Sequence, residues 1–178
     1  FGLDAGDYTL GRLMALSRSF QDFFCGYIPA LMRGDTDDDE GDYERRTQLI
    51  YSGGDDIFLV GAWDAVISLA QRIRADFTRY ACNNPAVTIS VGVSVVHPKH
   101  PILLAAELAG EAEQQAKDFN RPGLPAKNAV SLFGSAYSWK DEFEWCRKLR
   151  NEVYDLIKNH GVPMGLLRKL FHVYWAWK

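Results

Sequence analysis

Two strand-forming runs, "TQLIYS" (47–52) and "DIFLVGA" (56–62), are separated by only Gly53-Gly54-Asp55. A connection this short folds the two runs back on each other as an antiparallel hairpin. Asp55 and Asp56 then stand together at its tip, beside two residues without side chains. Taken alone, "GGDD" has two readings. Glycine and aspartate are what turns use, and adjacent carboxylates are also what a hard cation uses.

The rest of the chain places this hairpin among helices. Apolar residues Leu10, Leu13, Met14, Leu16, Phe20, Phe23, Phe24 and Tyr27 recur at helical spacing, predicting a long helix from Thr9, its N-cap, to about Met32. Trp63 to Ala81 reads as a second helix, with Val66, Leu69, Ala70, Ile73 and Phe77 on one face. "AVTISVGVSVV" (86–96) reads as a long strand in which Gly92 marks a bulge or a close backbone approach. A helix over 102–118, a short strand over 129–133 and a helical segment from Ser138 follow. Gly161-Val162-Pro163 separates a last helix. Its aromatics Phe171, Tyr174, Trp175 and Trp177 are expected to pack within the helical part, with a subunit interface as the alternative.

Other features carry less chemistry. The acidic run "RGDTDDDEGDYERR" reads as a solvated, mobile loop. As an EF-hand it fails, because the sixth and twelfth positions counted from Asp35 are Glu40 and Arg46 instead of glycine and glutamate. His97 and His100 sit in a proline-broken stretch without further ligands at metal spacing, so they read as a structural loop. Cys25, Cys82 and Cys146 form no C-x-x-C pair and are expected to be reduced, partly buried packing residues.

The 178 residues are 47% hydrophobic with a formal net charge of −3, which suits a globular domain and argues against nucleic-acid binding through broad positive charge. No apolar run approaches the roughly 18 to 20 residues of a membrane span, and no basic-then-apolar leader opens the sequence. A cytoplasmic protein without membrane contact is the expectation.

The order helix, hairpin, helix, strand, helix, strand defines an α/β (α+β) layer. It matches a ferredoxin-like β-α-β-β-α-β arrangement, with an antiparallel sheet, from which the first strand is missing. That strand lies inside such a sheet, and unpaired buried backbone groups cost on the order of 1 to 3 kcal/mol each. The expectation is a palm over 1–135, incomplete at its N-terminus, and the start of a helical domain over 136–178. Asp4 and Asp7 precede the first helix in a glycine-containing loop and are not promoted to ligands.

"YSGGDDIFLVGAWDAVISLAQRIRADF", "TISVGVSVVHPKHPILLAAELAGEAEQQAK" and "KNAVSLFG", in that order, resemble the second palm domain of the large subunit of type III-A CRISPR effector complexes. The final helices would then begin that subunit's C-terminal helical domain. The resemblance implies a palm that joins ATP into cyclic oligoadenylate when the complex captures target RNA. Two Mg²⁺ (or Mn²⁺) ions would assist, in antiviral defence. It also implies partners: other subunits of the ribonucleoprotein, its guide RNA and the target RNA. The related diguanylate cyclases carry Glu-Phe where this chain has Asp56-Ile57, which counts against a GTP enzyme. An inactive palm serving as a scaffold or nucleic-acid-binding module is the other alternative. No adjacent His-Asp pair occurs in the chain, so the nuclease chemistry of the same family is not expected from it.

Under this resemblance Asp55 and Asp56 are the catalytic, metal-holding carboxylates. Magnesium commonly takes one or two carboxylates and fills its shell with phosphates and water. Gly53 and Gly54 would let a nucleotide approach the backbone. Ser52 either hydrogen-bonds the nucleotide or caps the strand end. Lys117 resembles the lysine that holds triphosphate, a compact charge suited to phosphate, or else is a solvated lysine closing a helix. A further metal carboxylate is expected from the missing strand.

Overall fold

The computed structural model describes residues 9–35, 43–123 and 127–177. Asp4, Asp7 and residues 36–42 of the acidic run lie outside the described residues. The chain divides into two compact units, Phe1–Ala136 and Tyr137–Lys178.

In the first unit, α1 (Leu10–Gln21) opens at Thr9, whose hydroxyl accepts the Arg12 amide at 3.3 Å. The helix continues through a π-helical turn (Asp22–Tyr27) into α2 (Ile28–Arg33), which ends at Gly34 with φ 76°. One turn of helix, α3 (Tyr43–Arg46), leads into β1 (Thr47–Gly53), which pairs antiparallel with β2 (Asp56–Gly61). The register sets Gly53 opposite Asp56 and Ser52 opposite Ile57, and a bulge lies between Leu49 and Tyr51.

Helix α4 (Trp63–Tyr80) then packs beside the first helix. Phe23, Phe24, Ile28, Leu31 and Met32 meet Leu69, Ile73 and Phe77 in one core, with Leu49, Ile57 and Leu59 of the hairpin packed against it. This core sits between a helical layer and the hairpin, so apolar burial fixes the face of the hairpin that looks toward the helices. Tyr80 at the end of α4 donates to the Ser19 carbonyl at 3.1 Å. Leu10, Leu13 and Met14 of α1 are exposed although they belong to the apolar stripe.

The strand expected over 86–96 is shorter. Only Val91–Val93 (β3) have ladder partners, pairing parallel with β4 (Ala129–Leu132). Helix α5 (Ile102–Lys117) makes the crossover that a parallel pair requires. Val87 and Ile89 still pack against the core of the hairpin layer, as a strand's alternate residues would. Ser90 instead donates its hydroxyl to the Lys127 carbonyl. The antiparallel sheet expected is therefore divided here: β1-β2 form one sheet, and β3-β4-β5 form another whose first pair is parallel. Strand β5 (Ser135–Ser138), whose first two residues close the first unit, follows a two-residue turn, Phe133 (φ 54°) and Gly134 (φ 77°).

In the second unit, a π-helical turn (Trp139–Phe143) precedes α6 (Glu144–Asn159) and α7 (Gly165–Trp177). Ser138 caps it reciprocally: its hydroxyl accepts the Glu142 amide, and its own amide donates to the Glu142 carboxylate at 2.8 Å. Trp139 is buried edge-on against Phe143. Neither α6 nor α7 buries a residue, and Phe171, Tyr174, Trp175 and Trp177 are all at least half exposed. The expectation that these aromatics pack inside the helical part is thus corrected, because nothing described covers α7. The cysteines are corrected likewise, since all three are exposed.

Candidate active site

The tip of the hairpin is built by its sequence. Gly54 adopts φ 63°, a left-handed conformation that costs other residues about 1 to 2 kcal/mol, and it is otherwise in open space. Asp55 and Asp56 follow it, both exposed, so the turn holds two carboxylates out to solvent. Gly53 differs from Gly54. A side chain there would come within 2.5 Å of the Tyr51 hydroxyl, because residues 51 and 53 share a face of β1 and the tyrosine ring lies along the glycine. The clearance expected at Gly53 is taken up by a movable aromatic ring.

Ser52 points to the other face of the strand. Its hydroxyl donates to the Phe24 carbonyl at 2.7 Å, and the Cys25 thiol lies 3.7 Å from the Ser52 carbonyl. The hairpin is therefore tied to the π-helical turn. Along that helix an open groove of about 710 Å³ is lined by Met14, Ser17, Arg18, Gln21, Asp22, Cys25 and Gly26. Cys25 belongs to both the groove and the tie, so the groove runs up to the hairpin beside its turn.

Lys117 comes from the far end of α5. A Cβ at Gly92 would overlap the Glu113 amide and the Ala109 carbonyl, so β3 and α5 touch backbone to backbone. This is the close approach that Gly92 foretold. The Lys117 ammonium bonds Glu113 at 2.8 Å. That bond holds its pKa above the ordinary lysine value against the opposing effect of partial burial, and the charges of Glu113, Asp56 and Asp55 add to the rise. The structure thus brings Lys117 within electrostatic reach of both hairpin aspartates.

Two exposed carboxylates with open space beside them fit a hard divalent cation that completes its shell with phosphate and water oxygens. Among the described residues, no group of three or more His, Cys, Asp or Glu could hold a metal by itself. His97 accepts the Lys99 amide at 3.3 Å within its loop, the structural role expected of it.

The α+β layer carries an acidic hairpin tip with a lysine within its electrostatic reach, and comparison with known proteins gives the family. Residues 3–130 match the family described as Cas10/Cmr2, second palm domain, and the chain belongs to it. The Cas10/Csm1 (subtype III-A) protein of Methanocaldococcus jannaschii, named a CRISPR system single-strand-specific deoxyribonuclease, is 36% identical over 78% of this chain and 18% of its own length. Its namesake in Mycobacterium tuberculosis is 35% identical over 74% of this chain and 16% of its own. A Csm1-Csm4 cassette solved with cA3 superimposes with a TM-score of 0.64 at 30% identity, covering 77% of this chain and 21% of that one. The same cassette solved with one ATP gives 0.63 with the same coverage. The chain therefore spans about a fifth of the length of these relatives.

Proposed function

We propose that this chain is the nucleotide-joining palm of a type III CRISPR effector subunit, converting ATP to cyclic oligoadenylate in antiviral defence when target RNA is bound. The observation that carries the reading is the exposed Asp55-Asp56 pair at the hairpin turn, with Lys117 close enough to feel both charges. A carboxylate pair suited to a cation and a lysine suited to phosphate support the reading, and the solved relatives hold ATP, AMPPNP and cA3. Those ligands favour ATP over GTP as the substrate.

Asp55 and Asp56 would hold Mg²⁺ or Mn²⁺, which supplies charge stabilisation for the oxygens exchanged at phosphorus. Lys117 meets the triphosphate as a point charge, exchanging part of its bond to Glu113 for phosphate oxygen. Gly54 leaves the backbone open to the phosphates, and Tyr51 borders them at Gly53. The groove beside Cys25 receives the rest of the nucleotide. Residues 1–135 are the palm, and 136–178 begin a helical domain. The exposed apolar face of α7 then meets further protein of the ribonucleoprotein, whose guide and target RNA lie outside this chain. No helix among the described residues is long and apolar enough to cross a membrane.

The test is product formation by the intact subunit assembled with its complex, Mg²⁺, ATP and matched target RNA. Asp55→Ala with Asp56→Ala should abolish cyclic adenylate without loss of assembly. Undiminished product from that double variant would sink the proposal, and assembly with no Mg²⁺-dependent ATP binding in the unmutated protein would favour a scaffolding palm.

A further inference from the structure

We infer that Ser52 is a positioning residue, locking the Gly-Gly-Asp-Asp hairpin onto a carbonyl that Pro29 keeps free. The inference rests on the proposed nucleotide chemistry only for its effect on turnover. Its structural part stands on the helix alone.

In an α-helix the Phe24 carbonyl would accept the Ile28 amide. Here the Ile28 amide bonds Phe23 instead, the five-residue step of a π-helical turn. The same step would give Phe24 the amide of residue 29, and Pro29 has none. The Phe24 carbonyl thus has neither helical partner, on a residue only 3% exposed. A buried acceptor in that position needs a donor.

Ser52 supplies it from another element at 2.7 Å, and the Cys25 thiol reaches back toward the Ser52 carbonyl at 3.7 Å. Ser52 is one residue from Gly53, which pairs with Asp56 in the register. Any shift at Ser52 moves the turn carrying both aspartates. The hydroxyl proton is already given to the main chain, so the residue acts through the hairpin rather than by donating to a nucleotide.

Pro29→Ala adds an amide that competes with Ser52 for the Phe24 carbonyl. Ser52→Ala removes the donor, and Ser52→Thr keeps a hydroxyl. In the intact, assembled subunit, amide hydrogen exchange at 53–56 should quicken by between about twofold and tenfold in Ser52→Ala. It should quicken in Pro29→Ala as well, with little further change in the double variant and recovery in Ser52→Thr. Turnover of ATP should follow the same order through kcat, with KM within about twofold, since no ground-state contact is lost. Wild-type exchange at 53–56 in Pro29→Ala would overturn the inference, as would a Ser52→Ala variant that raises KM alone. If the unmutated protein makes no product from ATP, the proposed function fails, and the exchange measurements still decide the role of Ser52.

Discussion

The Tyr27 hydroxyl donates to Oδ2 of Asp76 at 2.8 Å, and Arg72 Nε donates to the same oxygen at 2.7 Å, while Arg79 holds Oδ1. Asp76 is buried between the two long helices of the first unit. Burial pushes its carboxyl up, but the bonds from Arg79, Tyr27 and Arg72 outweigh burial and hold it below the ordinary 3.8. The folded value lies below the unfolded one, so this stabilisation is present above about pH 4 and disappears as the pH falls through the folded value. Asp76→Asn should cost about 2 kcal/mol at neutral pH, with both arginines retaining water on their outer sides. It should also remove this component of the acid unfolding limb, read by denaturant unfolding across pH 2 to 7. Tyr27→Phe should cost about 1.5 kcal/mol.

The glycines of the site should separate by cause. Gly54→Ala meets no neighbour but must hold φ 63°, so it should cost about 1 to 2 kcal/mol locally, seen as faster exchange at the hairpin tip. Gly53→Ala need only displace the Tyr51 ring and should be milder. Gly92→Ala sets a methyl against helix backbone that cannot yield separately, and should cost about 3 kcal/mol or more. Its signature is lost protection throughout α5 in hydrogen exchange.

Lys117 and Glu113 should pull in opposite directions on nucleotide affinity. Lys117→Ala should raise the KM for ATP by at least about tenfold, as expected of a lost charge-assisted bond. Glu113→Gln frees the ammonium from its strongest partner and should lower KM while steepening its dependence on salt. Steady-state kinetics of the intact complex at two ionic strengths would check both.

Metal dependence should follow the hairpin. Chelation should abolish product, and restored Mg²⁺ or Mn²⁺ should recover it. Calorimetry of Asp55→Asn with Asp56→Asn should show that ATP binding no longer responds to the metal.

Much of this architecture is legible in residue pattern, because each legible element is dictated locally. The hairpin follows from Gly53-Gly54-Asp55 between two strand runs, and α4 from its apolar face. What escapes the sequence depends on partners. The run over 86–96 has strand composition, yet among the described residues its ladder is at Val91–Val93, where β4 lies alongside. Strand β5 was hidden because its turn places Phe133, not the usual Asn or Asp, at positive φ before Gly134. The π-helical turn had a signal in Pro29, which stands inside an otherwise regular helical stripe. The phosphate role of Lys117 comes from the family resemblance alone; helical spacing leaves it a solvated lysine.

The two sides of the site differ in compliance. Strand β3 bears on α5 through Gly92 with no side chain between them, so Lys117 rides on a stiff strand–helix body whose spacing is set by backbone thickness. Repacking of neighbouring apolar residues leaves that spacing almost unchanged. The aspartates instead hang at the tip of a two-stranded ribbon, held beside the turn by Ser52 and Cys25 and packed further back through Leu49, Ile57 and Leu59. A signal that opens or closes this site therefore has a mechanically soft place to act, and it is the hairpin, not the lysine.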